Sequence, residues 1–146
     1  MIEVKEVDIE EVLKVHKNII EFDDGNPPKE FFEDRYKNLN KLILVAYYKN
    51  NPIGYVIGYE RDEDKSFYCW LAGVDNNYRR RGALTNMMKY FMKWTKDNGY
   101  KKIKIKTRNK FREMLNYLVK SGWQFMNVEA KENAKDNRIE LELDLI

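Results

Sequence analysis

Val74-Asp75-Asn76-Asn77-Tyr78-Arg79-Arg80-Arg81-Gly82-Ala83 is the stretch on which the fold of this chain turns. An apolar run ends at Val74, and beyond Ala83 the residues Leu84, Met87, Met88 and Phe91 recur at helical spacing on one face. The stretch therefore joins a strand to a helix. The first N–H groups of a helix lack intrahelical acceptors and carry the positive end of the helix dipole, so they attract phosphate oxygens where a glycine lets a ligand approach. Gly82 stands at that place. Arg79, Arg80 and Arg81 put like charges at the positive helix end, a cost of about 0.3–1 kcal/mol each that a bound diphosphate would reverse. An isolated basic triplet reads as solvated loop charge; beside Gly82 it reads as an anion site.

Towards the N-terminus, Ile2 to Val7 reads as a short strand and Ile9 to Phe22 as a helix with Asp8 as its N-cap. Pro27-Pro28 opens a second helix through Phe31, Phe32, Arg35 and Tyr36. Leu42 to Tyr48 and Ile53 to Tyr59, joined by Asn50-Asn51-Pro52, form an antiparallel hairpin, and Phe67 to Val74 supplies a further strand. Towards the C-terminus, the helix after Arg81 should stop at Asn98-Gly99. Lys101 to Thr107 alternates, with Ile103 and Ile105 facing one way and Lys102, Lys104 and Lys106 the other. A helix carrying Phe111, Met114, Leu115 and Leu118 inward follows and ends at Ser121-Gly122, and Trp123 to Val128 and Arg138 to Leu145 are the last strands. The predicted order is β-α-α-β-β-β-α-β-α-β-β: an α/β (α+β) fold with a mixed central sheet of about six to seven strands and helices on both faces.

The 146 residues suit one domain spanning 1–146 and contain no repeat, Gly/Ser linker or low-complexity tract. With 43% hydrophobic and 14% aromatic residues the composition excludes a disordered chain, and no apolar run approaches the ~20 residues of a membrane span. A single cysteine and an N-terminus without a secretory pattern lead to the expectation of a cytoplasmic protein with no membrane partner. The net charge of +3 hides a polarity: residues 1–64 hold nine Lys/Arg against fifteen Asp/Glu, whereas residues 79–112 hold thirteen against Asp97 alone. Such a field suits an anionic ligand at the basic segment and a cationic one nearby.

The central stretch resembles the coenzyme motif of the GCN5-related N-acetyltransferase (GNAT) family, roughly (Gln or Arg)-x-x-Gly-x-(Gly or Ala) after a strand ending in valine. Arg79-x-x-Gly82 matches it, as do the lead-in Val74, Tyr78 and Arg79, the order of elements over essentially the whole chain, and Lys120-Ser121-Gly122-Trp123, which is similar to the family's Lys-x-Gly-Phe. The resemblance implies acetyl-CoA as cosubstrate, a primary amine of a small molecule or peptide as acceptor, and transfer in a gap where the strands flanking the signature helix splay apart. It further implies that Leu71, Ala72 and Val74 pair with the pantetheine arm. The backbone from Arg80 and Arg81 through Gly82, Ala83, Leu84 and Thr85 is implied to hold the diphosphate; Asn109, two residues upstream of the best register, lies near where the family places an asparagine against the coenzyme and would equally cap the following helix. Leu84 replaces the final small residue of the motif. The family's tyrosine acid aligns with Leu118, which leaves the neighbouring Tyr117 as the candidate to protonate the departing thiolate.

For a general base the residues offer Glu60 and the stretch Glu21-Phe22-Asp23-Asp24, which would equally solvate a turn. His16 reads as a surface residue within its helix and Cys69 as a packed thiol, and one histidine with one cysteine cannot build a usual zinc set, so no metal is expected. Lys101 to Lys106 with Arg108, Lys110 and Arg112 also fits a nucleic-acid patch. The duller reading sets Lys102, Lys104 and Lys106 beside Glu140, Glu142 and Asp144 as cross-strand charge pairs, with no nucleic acid bound. A catalytically silent CoA-binding module is a further reading, and a homodimer is compatible with all of them.

Overall fold

The computed structural model describes residues 1–145. It contains β1 (Ile2–Glu6), α1 (Ile9–His16), α2 (Lys29–Tyr36), β2 (Lys41–Tyr48), β3 (Asn51–Tyr59), β4 (Ser66–Val74), α3 (Ala83–Asp97), β5 (Lys102–Arg108), α4 (Arg112–Lys120), β6 (Gln124–Glu129) and β7 (Arg138–Asp144), with 3-10 turns at Asn76–Tyr78 and Ala134–Asp136. The expected element order holds, and the strands form a mixed sheet in the order β1-β2-β3-β4-β5-β7-β6. Only β4 and β5 run parallel; the other neighbours are antiparallel.

Two apolar layers flank this sheet. On one face α3 buries Met87, Met88 and Phe91, and α4 buries Leu115 and Leu118, against Phe67, Ile103, Ile105, Ile139 and Leu141. On the other, α1 and α2 pack Val12, Val15, Phe32 and Tyr36 against Ile43, Tyr55, Ile57 and Tyr68. Helix α1 is shorter than its apolar pattern predicts. It ends at His16, and Ile19 and Phe22 are reached through i−3 turns, Ile19 N–H to His16 O at 3.2 Å and Phe22 N–H to Ile19 O at 3.0 Å. A spacing of three serves such turns as well as a helix, so the periodicity runs past the true end. Asp8 occupies the N-cap position of α1, but its side chain makes no capping hydrogen bond.

The geometry that matters is made in β4. Its pairing with β3 shifts register between Ile57 and Gly58, so that Leu71 faces Ile57, Cys69 faces Gly58 and Trp70 is the extra residue. A bulge of this kind bends its strand. Directly after it the pairing with β5 stops: the last matched pair is Cys69 with Ile105, although β4 continues to Val74 and β5 to Arg108. Gly58 is needed there, because a Cβ on it would stand 2.5 Å from the Phe91 ring. The sheet therefore forks at its centre.

Beyond the fork β7 pairs β5 in the expected register, with Lys102 opposite Asp144, Lys104 opposite Glu142 and Lys106 opposite Glu140. The ion pairs themselves differ from expectation. Lys102 reaches diagonally to Glu142 at 3.6 Å, and Lys104 turns to Asp62 at 3.2 Å and Asp64 at 2.7 Å. The loop between β3 and β4 brings those carboxylates alongside the start of β5, and their several hydrogen bonds win over the strand partner.

Candidate active site

A cleft of about 1020 Å³ opens where β4 and β5 part. Leu71, Ala72 and Val74 line it from β4, and Arg79, Arg80, Gly82, Ala83, Leu84 and Thr85 from the loop and first turn of α3. Tyr117 reaches it from α4. The side chains of Arg81 and Asn109 lie outside its lining. Arg81 stacks its guanidinium on Tyr48 and Tyr78, 5.2 and 5.4 Å from the ring centres, while Asn109 donates to the carbonyl of Ala134 at 3.1 Å and so braces the loop before β7.

The loop before α3 is shaped by its own residues. Asp75 accepts from the N–H of Asn77 at 2.9 Å and closes the first turn. Arg80 and Gly82 both take left-handed conformations, with φ of 63° and 87°. Only glycine adopts that region without cost, so Gly82 lets the chain swing from the loop into α3. Among the described residues no backbone carbonyl accepts from the N–H groups of Gly82, Ala83, Leu84 or Thr85. They form a row of unpaired donors at the positive end of a fifteen-residue helix. Leu84 is half-buried, packing on the α3 core as well as bordering the cleft.

Arg79 is not a free phosphate clamp. Its guanidinium donates to the carbonyl of Val74 at 3.2 Å and pairs with Glu21 and, at 3.3 Å, with Glu113. It ties the loop before α3 to the segment after α1 and to α4. This relieves the crowding of three adjacent arginines in part: Arg79 is neutralised, Arg81 stacks on aromatic rings, and Arg80 is left at the cleft.

Leu118 is fully buried in the core, whereas Tyr117, one residue earlier, is half-buried and borders the cleft. The turn of α4 thus hands the cleft position to the tyrosine and the core position to the leucine. Burial raises the Tyr117 phenol above its ordinary range, so it is a neutral O–H donor at physiological pH. Cys69 is packed as expected: it is fully buried at the fork, and desolvation pushes its thiol up to about 12. That thiol is a poor nucleophile.

The acidic candidates divide. Glu21, Asp23 and Asp24 line the cleft, but Glu21 is held by Arg79 and Asp24 by His16. Glu60 accepts from the Tyr100 hydroxyl at 2.7 Å and takes no part in the cleft lining. His16, expected on the surface, is buried at 2% exposure. Its Nδ1 lies 2.7 Å from the Tyr55 hydroxyl and its Nε2 2.8 Å from Asp24, and its ring stacks on Phe22 at 5.1 Å. Because α1 stops at His16, its final turn faces the sheet. Its spacing, seven residues after Ile9 and four after Val12, already sets it on the inward face; its partners, from β3 and from the following loop, are what spacing could not reveal.

Among the described residues no helix is long and apolar enough to cross a membrane. The model of the acetyltransferase (GNAT) family matches residues 9–123 of the chain. No curated protein matches it in sequence. Solved structures are similar in fold. The ribosomal-protein-S18-alanine N-acetyltransferase of Escherichia coli superposes with a TM-score of 0.82 at 9% identity, covering 99% of this chain and 94% of that one. An N-acetyltransferase from Staphylococcus aureus gives 0.81 at 12% identity over 100% and 99% of the two chains. A GNAT family acetyltransferase from Elizabethkingia anophelis with acetyl-CoA bound gives 0.74 at 20% identity, over 98% and 97%.

Proposed function

The chain belongs to the GNAT acetyltransferase family, and from that premise we propose that it transfers the acetyl group of acetyl-CoA directly to a primary amine of an acceptor molecule. The observation that carries the reading is the forked sheet beside an unpaired donor row. The β4 edge from Trp70 to Val74 has lost its β5 partner, and the N–H groups of Gly82 to Thr85 lack carbonyl acceptors within the same cleft. A ligand with an amide-bearing arm and a diphosphate satisfies both. Leu71, Ala72 and Val74 would pair with the arm, Gly82 to Thr85 would hold the diphosphate, and Arg80 would add a positive charge. Acetyl-CoA supplies the acetyl group as a thioester.

The balance of the transfer is simple. A C–N bond forms as the C–S bond breaks, nitrogen releases one proton, and sulfur leaves as a thiolate that takes up a proton from solvent. An amine with pKa near ~10.4 is neutral in only about one molecule in 2,500 at pH 7, a deficit of ~4.6 kcal/mol. Asp23, the cleft carboxylate outside any ion pair among the described residues, would accept the proton directly or through water. Tyr117 donates its hydrogen bond to the departing sulfur. A CoA-type thiol, pKa ~8.5, is more acidic than a raised phenol, so Tyr117 steadies the thiolate rather than surrendering its own proton.

Incubation with acetyl-CoA and a mixed panel of amines, reading free thiol, tests the proposal. Acetyl-CoA-dependent thiol release that requires an amine is expected. Calorimetric CoA binding with no release for any amine would instead make the protein a silent coenzyme-binding module.

A further inference from the structure

The acceptor side of the cleft is basic, and its basicity is concentrated in an arrangement that an apo protein does not favour. Arg108 at the end of β5 and Arg138 at the start of β7 are direct antiparallel partners. Partner side chains stand on one face about 4.5–5.5 Å apart at Cβ, where like charges are destabilising. The neighbouring pair, Thr107 with Ile139, points into the core under α4, so Arg108 and Arg138 point to the opposite face, shared with Tyr68 and Trp70. Both are half-buried and both line the cleft.

Among the described residues neither arginine makes an ion pair within 4.0 Å. The nearby carboxylates give them only partial compensation: Glu129, opposite Arg138 on β6, is bound by Lys131, Asp136 is bound by Lys110 at 2.9 Å, and Glu140, two residues along β7 on the same face, makes no ion pair with either arginine among the described residues. Lys106, on the same face of β5, sits opposite Glu140 without an ion pair among the described residues. Across the cleft Arg35 of α2 lies with its guanidinium 4.7 Å above the centre of Trp70. Meanwhile the acidic stretch that seemed suited to a cation is mostly spent, with Glu21 on Arg79 and Asp24 on His16.

We propose that the acceptor is an anionic amine, whose carboxylate or phosphate is gripped by Arg108 and Arg138 on the sheet face opposite α4 while its amino group enters the fork. The proposal rests on the acetyltransferase reading. Paired guanidinium forks match the planar oxygens of a carboxylate and those of a phosphate, and a bound anion removes the repulsion between the two arginines. The donor row that serves the coenzyme lies on the β4 side of the cleft, at the start of α3, and Arg108 and Arg138 lie on the β5–β7 side. Arg35 and Lys106 extend the positive field, and Asp23 is left to meet the ammonium end.

The test uses matched acceptors differing only in the anion: β-alanine against β-alaninamide, and O-phosphoethanolamine against ethanolamine, with spermidine as the polycation. Thiol release should favour at least one anionic member by about tenfold or more in kcat/KM, and the favoured pair identifies carboxylate or phosphate. The double variant Arg108→Gln/Arg138→Gln should erase that preference mainly through KM, with the calorimetric CoA affinity unchanged and the melting temperature of the free protein unchanged or raised, since the repulsion between the two charges is gone. Equal rates within both pairs, faster acetylation of spermidine, or a preference surviving in the double variant would overturn the proposal while leaving the enzyme reading intact. NMR titration of the CoA-loaded protein with glutarate and inorganic phosphate separates the two claims. Shifted Arg108 and Arg138 Nε–H signals in a protein that acetylates nothing would support the anion site and reject the transferase. No shift with either anion would reject the site.

Discussion

The two walls of the cleft are built from different materials. The wall at the start of α3 is one uninterrupted segment, Val74 to Thr85, and its working groups are backbone N–H donors set by a left-handed glycine. The facing wall is assembled from the segment after α1, from α2, from β4 and from the β5–β7 pair, and it presents side chains, among them Asp23, Arg35, Trp70, Arg108 and Arg138. A backbone site survives most side-chain changes but fails when the path of the chain is altered. A side-chain site can be retuned one residue at a time. On the proposed function, the coenzyme would sit against the rigid wall and the acceptor against the adjustable one.

The largest expected effect breaks the backbone wall. Gly82→Val forces a β-branched residue to φ near 87°, at a cost of about 1–3 kcal/mol, and CoA affinity measured by calorimetry should fall up to about 10²-fold. Since a Cβ at Gly82 would meet nothing closer than Asn86 Nδ2 at 3.9 Å, the loss should come from the backbone path rather than from a clash. Unchanged affinity would remove the diphosphate from this loop.

Tyr117→Phe deletes the hydrogen bond offered to sulfur and keeps the packing. A bond to a charged partner is worth about 1.5–3 kcal/mol, so kcat should drop about 10–10²-fold with CoA affinity intact, as read by steady-state kinetics. His16→Phe tests whether the acceptor wall is held from beneath. It strips the fully buried Tyr55 hydroxyl of its partner and releases Asp24, with an expected loss of about 1–3 kcal/mol in urea unfolding and a raised acceptor KM.

The smallest effect concerns the start of β5, the end of the strand away from Arg108. The bond from Arg61 holds Asp62 below the usual carboxylate range, and the bond from Lys104 does the same for Asp64. A carboxylate whose folded pKa is depressed contributes stability above its unfolded pKa, near ~3.9, and loses it as pH falls through the folded value. The melting temperature of the wild-type protein should thus drop more steeply below pH ~4 than that of Lys104→Met. For such partly exposed groups the difference should stay within about 1 kcal/mol.

The same contrast explains what could be read beforehand. The coenzyme-side residues are consecutive, so glycine, helix start and strand end can be recognised together. Tyr117 could be named from its place beside Leu118, although which of the two faces the cleft depends on how α4 is rotated against β5 and β7. The acidic stretch at Glu21 to Asp24 was legible as charge but not as chemistry, because its partners Arg79 and His16 lie far along the chain or on a buried helix end. Arg138 carried no signal until β7 was set between β5 and β6.

By itself, then, the order of residues determined the succession of strands and helices, the helix-start loop with its glycine and the acetyltransferase family, because these depend on local periodicity, backbone freedom at Gly82 and motif spacing. The tertiary structure alone decided where the sheet forks, which acids remain free and that two arginines meet across a strand pair. Those properties arise from register and from competition between distant charges, and a single bulge at Trp70 is enough to create the fork on which they depend.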